Sequence, residues 1–96
     1  MKVHVIVASR HDGTLEIAQV IGETLTGRGY DTDVTRLERD GGGEVDLQPG
    51  DAVVLGSAVY TGEWMGRAQR FVEYHADELR HRPLWLFSSG AKHGAD

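Results

Sequence analysis

Three short runs of this chain are apolar at nearly every position, where a strand with one wet face would alternate. Val3, Val5, Ile6, Val7 and Ala8 make the first, the segment DAVVLG (51–56) the second, and LWLF (84–87) the third. Such runs suit strands buried on both faces, as in a parallel sheet whose crossover helices cover it on either side. The intervening segments have the period that crossovers need. From Thr14, an N-cap candidate, Leu15, Ala18, Ile21 and Leu25 recur at helical spacing, with Ile17 widening the stripe. Gly27 and Gly29 end that helix. Near 65–80, Met65, Ala68, Phe71, Val72, His75 and Leu79 form a second apolar stripe. DTDVTRL (31–37) alternates weakly and carries charge, as an edge strand does. The order β-α-β-β-α-β predicts one α/β domain over 1–96, with a mostly parallel sheet and right-handed crossovers.

Composition removes several function classes. A net charge of −5 argues against a nucleic-acid backbone as partner, which needs clustered Lys and Arg. With no cysteine there is no disulfide framework, thiol nucleophile or thiolate metal site. No apolar run approaches the roughly 18 residues of a membrane span, and no basic start leads into a signal core. Residence in the cytoplasm is the resulting expectation. No two histidines and a carboxylate share ligand spacing, so no metal is expected. SSG and GSA are not the G-x-S-x-G elbow, and no histidine–carboxylate partner is placed for a hydrolase triad. No catalytic side chain is predicted. The acidic residues Glu38, Asp40, Glu44 and Asp46 read as a solvated face.

The unusual residues gather in three loops, each after a buried run. Between the first strand and its helix lie Ser9, Arg10, His11, Asp12, Gly13 and Thr14. Free N–H groups and the dipole at a helix N-terminus favour an anion there, and Ser9 and Thr14 add hydroxyls. The motif alone fits an ordinary strand-to-helix turn equally well. GSAVYTGEW (56–64) sets small residues and two flat aromatics after the second run, and SSGAKHGAD (88–96) trails the third. In open α/β sheets ligands bind at this end of the strands, where the strand order reverses.

Together ASRHDGTLEIA, DAVVLGSAVYTGEW and WLFSSG resemble the flavodoxin-like family. Within it, the chain looks most similar to small bacterial flavodoxin-domain proteins related to menaquinone-dependent protoporphyrinogen dehydrogenase. The resemblance implies a doubly wound parallel sheet beginning 2-1-3-4, bound FMN, and electron or hydride transfer with a quinone, porphyrinogen or reductase partner. It implies that Ser9, Arg10, His11, Gly13 and Thr14 hold the phosphate. It places Ser57, Ala58, Val59, Tyr60, Thr61 and Gly62 on one side of the flavin, and Ser89 and Gly90 on the other. The rival reading is a shortened flavodoxin-like chain without flavin that serves as an interaction or assembly module. A receiver-type signalling domain would need an acidic cluster where the first strand ends in VASR and an Asp where the third ends in LGSA.

Two departures shape further expectations. Asp12 stands where the family's phosphate loop usually has glycine, and the resemblance stops before a fifth strand. The strand at 84–87 is then an open edge, with either Trp85 and Phe87 or Leu84 and Leu86 facing water. A homodimer, or completion by a C-terminal partner segment, is the expected remedy. Of the remaining aromatics, Trp85 and His75 read as packing residues. Trp64 reads as a core or helix-end aromatic rather than a flavin contact. His4 and His81 give no functional signal.

Overall fold

The computed structural model describes residues 1–9, 12–37, 45–60 and 62–90, without the side chains of Asp12 and Tyr60. Among these, the elements are β1 (Lys2–Ala8), α1 (Asp12–Gly27), β2 (Asp31–Arg36), β3 (Ala52–Tyr60), β4 (Glu63–Trp64), α2 (Gly66–Tyr74), α3 (Ala76–Arg80) and β5 (Leu84–Gly90). β1 pairs in parallel with β2, from Lys2↔Asp31 to Val7↔Arg36, and with β3, from Val3↔Ala52 to Ala8↔Ser57. β5 runs parallel along the other edge of β3, from Val53↔Leu84 to Val59↔Gly90. β4 folds back antiparallel on the end of β3. The sheet therefore has the expected doubly wound order, 2-1-3 and then the strand at 84–90, with one short antiparallel strand added.

β1 explains its own sequence. Val3, Val5 and Val7 pack with Ala18 and with the half-buried Leu15, Ile21 and Leu25 of α1. The alternate residues Ile6 and Ala8 pack with Leu55, Ala68, Phe71 and Leu79 on the face of α2 and α3. Both faces are covered, so no position of the run can be polar without a partner. Full burial of each Val, Ile or Leu is worth about 1.5–3 kcal/mol. Two glycines allow close approach. A Cβ on Gly22 would lie 2.7 Å from Val34, so α1 seats directly on β2. A Cβ on Gly56 would lie 2.1 Å from the Phe87 ring, which covers the bare backbone of β3.

Several local expectations are corrected. α1 begins at Asp12, so Thr14 lies in its first turn and is not the N-cap. A carboxylate-bearing residue at a helix start is favoured by the dipole. The helix expected over 65–80 is two: His75, at φ −105° and ψ 19°, leaves helical geometry between α2 and α3. The break returns Leu79 to the core while Val72 stays exposed. β3 and β5 outrun their apolar cores, to Tyr60 and Gly90, because paired neighbours continue the ladder. Trp85 is not a packing residue, being 57% exposed. α1 lies chiefly over β1 and β2 and barely reaches β5. The open edge exposes both faces rather than one: Trp85 projects on the α1 face, and Leu84 and Leu86 on the other.

The N-terminal ends of the strands are closed by a polar knot around buried Asp51. Its carboxylate accepts from His4 Nε2 at 2.9 Å and from the backbone N–H groups of Lys2 and Gln48, both at 3.1 Å. The Gln48–Pro49–Gly50–Asp51 turn, with Gly50 at φ +89°, presents that carboxylate. Arg82 ties the turn to α3, donating through Nη1 to the carbonyls of Gln48 and Asp51 and through Nε to that of Glu78. The His4 hydrogen bond, helped by the two backbone donors, holds the Asp51 carboxyl at about 2, below its ordinary 3.8. A depressed folded-state value stabilises the fold above pH 3.8, and the contribution is lost as pH falls from there through about 2. The urea midpoint of the wild type should fall across that window more steeply than that of Asp51→Asn. Parallel curves would contradict this assignment.

Candidate functional site

At the opposite end of the sheet, β1 leads to α1 on one face while β3 leads to α2 on the other. The C-terminal ends of β1 and β3 thus flank the point where the winding reverses. Ser9, just past β1, is buried, and its carbonyl accepts a hydrogen bond from Arg36 Nη2 at 3.1 Å. Leu37 donates its N–H to the carbonyl of Val7 at 2.8 Å, and Arg67 Nη1 reaches the Leu37 carbonyl at 3.3 Å. The ends of β1 and β2 and the start of α2 are thereby joined beside the first loop.

α1 starts at Asp12, so the N–H groups of its first turn point back toward the strand ends without intrahelical partners. Thr14 lies in that first turn and is 4% exposed. Gly13 is helical rather than left-handed, and open space stands where its Cβ would be. Gly13 thus leaves the backbone open without an unusual dihedral. Arg10 and His11, expected beside these residues, lie outside the described residues, as does Thr61.

The second and third loops are more structured than their composition suggests. Ser57 is fully buried, and its hydroxyl is committed twice. It donates to the Ala58 carbonyl at 2.8 Å and accepts the Met65 N–H at 3.0 Å. Ser57 is therefore a brace between the end of β3 and the start of α2, with no spare donor to offer a ligand through Oγ. Beyond it, Val59↔Trp64 and Tyr60↔Glu63 make a hairpin around a two-residue connection. Gly62 occupies that connection at φ +81°, a conformation that favours glycine. β5 runs alongside: Ser57↔Ser88, Ala58↔Ser89 and Val59↔Gly90. Ser89 is half-buried and Gly90 exposed.

Among the described site residues expected from sequence, the ladders set Ala58 and Val59 in register with Ser89 and Gly90, and Ala8 opposite Ser57 beside Ser9. Neighbouring strands in such a sheet are about 4.8 Å apart. Three strand ends and one helix start therefore share one small area. It offers backbone and hydroxyl donors suited to an anion, next to a row of small residues suited to a flat ring. Sequence reading missed Arg36, since one arginine at the end of an edge strand carries no motif. It also missed the tie from Trp64 Nε1 to Ser88 Oγ at 2.8 Å, because residues 24 apart show no pattern.

No helix among the described residues is long and apolar enough to cross a membrane. A search of curated proteins returns no match to the chain. The family described as "Flavodoxin domain" matches residues 4–95, in agreement with the strand order and the switch-point site. Spanning nearly all of the sequence, that match and this topology make the chain a member of the flavodoxin-domain family.

Proposed function

We propose that this domain binds FMN at the switch point and serves electron or hydride transfer, in the manner of oxidoreductases that act on a quinone or porphyrinogen. A flavin-binding redox role belongs to the family, and flavodoxin-type sheets take FMN between the ends of their first and third strands. The observation that carries the reading is the α1 N-terminus, with Thr14 buried in its first turn, set beside the paired ends of β3 and β5.

Bound FMN would supply the redox chemistry, and the protein would supply position and electrostatics. The first-turn N–H groups of α1 and Thr14 Oγ1 donate to the phosphate. Ser9, Arg10, His11 and Gly13 complete that loop. Ala58, Val59, Tyr60, Thr61 and Gly62 flank the ring on the hairpin side, and Ser89 and Gly90 on the β5 side. Ser57 acts from beneath, by fixing the hairpin. Titration with FMN and riboflavin tests this arrangement. FMN should bind more tightly than riboflavin. Thr14→Ala should weaken FMN alone by about 1 kcal/mol or somewhat more, near fivefold, as for one hydrogen bond to a charged group. Equal affinity of the wild type for the two flavins would overturn the phosphate assignment.

The exposed β5 supports a second element, association between two copies. Leu84–Gly90 contains no charged residue and is flanked on its outer edge by no described strand. Copies meeting there avoid like-charge contact despite the net charge of −5 each. Burying Trp85 and Leu86, both more than half exposed, yields up to about 3–6 kcal/mol per copy. Light scattering after size exclusion at micromolar concentration should give twice the 10.5 kDa chain mass. A dye-binding monomer would point to completion by a C-terminal partner segment instead. A monomer that binds no hydrophobic dye would refute an open apolar edge altogether.

A further inference from the structure

We infer that Trp64 is a positioning residue that sets the separation between the two loops flanking the flavin, an inference that rests on the flavin reading above. Four contacts fix it. Its indole N–H donates to Ser88 Oγ of β5 at 2.8 Å. Its carbonyl accepts from Gln69 Nε2 of α2 at 2.8 Å. Its backbone pairs with Val59 of β3, and its half-buried ring packs against the core beneath α2. One residue onward, the Met65 N–H is held by Ser57 Oγ at 3.0 Å. The base of the hairpin is thus tied to β3, α2 and β5 together.

The consequence follows from the register. Ser88 directly precedes Ser89 and Gly90, the residues placed on the β5 side of the ring, while Trp64 closes the hairpin that bears Tyr60 and Gly62. Among the described residues β5 is held along one edge, by β3, so its last residues need a lateral tie to keep a fixed distance from the hairpin. The indole supplies it from the face of the sheet that carries α2. The ring is turned toward the core and used as a strut, so it does not act as a stacking surface for the flavin.

Trp64→Phe keeps the packing ring and removes the donor. Ser88→Ala removes the acceptor with little change of volume, and Ser88→Thr retains the hydroxyl. Flavin-fluorescence titration with FMN and riboflavin, and amide hydrogen exchange of the flavin-free protein, give two independent readouts. Trp64→Phe and Ser88→Ala should each weaken FMN and riboflavin by the same factor, about fivefold, because the phosphate loop is untouched. Exchange should quicken in both 59–65 and 88–90. Ser88→Thr should match the wild type, and the double variant should be no worse than either single one. Unchanged affinity for both flavins in the single variants would overturn the inference, as would fully additive losses in the double variant. Loss of FMN affinity without loss of riboflavin affinity would also overturn it. A wild-type protein that binds neither flavin would remove the flavin reading and this inference together, a result distinct from all of these.

Discussion

β3 satisfies its backbone along both edges, to β1 through Ala52–Ser57 and to β5 through Val53–Val59. That double pairing fixes where every other part can go. Because β1 crosses to β2 on one side and β3 to β5 on the other, right-handed crossovers put α1 and α2 on opposite faces, which creates the reversal at the C-terminal ends of β1 and β3. The double pairing also removes the freedom of register that a strand paired on one side retains. A slip by one residue would turn Val53 and Leu55 from one core to the other and drive Gly56 out from under the Phe87 ring.

The two ends of the sheet use polar groups in opposite ways. At the N-terminal end, Asp51 is saturated by His4, Lys2 and Gln48, and Arg82 caps the turn that carries it. Those groups are spent on each other and hold the strands in place. At the C-terminal end Arg36 and Arg67 tie the ends of β1 and β2 through backbone carbonyls, and the braces under the second and third loops are neutral, Ser57 to Met65 and Trp64 to Ser88. The first turn of α1 keeps donors to spare. A site for an anion with a flat ring attached needs that division: fixed spacing from beneath, and unspent donors at one corner. Beyond β5 no described strand continues the sheet. α1 reaches β2 through Gly22 and leaves Trp85 uncovered.

The sheet order and both cores were legible because full burial leaves a periodic trace: consecutive apolar residues in β1 and β3, and 3.6-residue spacing in α1. Where burial was partial, the trace misled. Trp85 and Leu86 look like core residues by composition, yet a residue's own sequence cannot say whether a helix lies above it. The break at His75 was hidden because the stripe continues across it. Small residues and hydroxyls mark the loop positions of the candidate site, but not the division of labour among them. Ser57 has the side chain of a ligand donor, and only its partners reveal a brace. His4 gave no signal because its partner, Asp51, is 47 residues away, in the turn that precedes β3.

Amide chemical-shift mapping with added FMN bears on the placement of the flavin without relying on any substitution. The shifts should concentrate at Gly13, Thr14, Ala58, Val59, Ser89 and Gly90, along the C-terminal edge of the sheet, while Lys2, His4 and Asp51 at the far edge stay still. Shifts centred on the far edge, or spread evenly over the molecule, would contradict a flavin at the switch point.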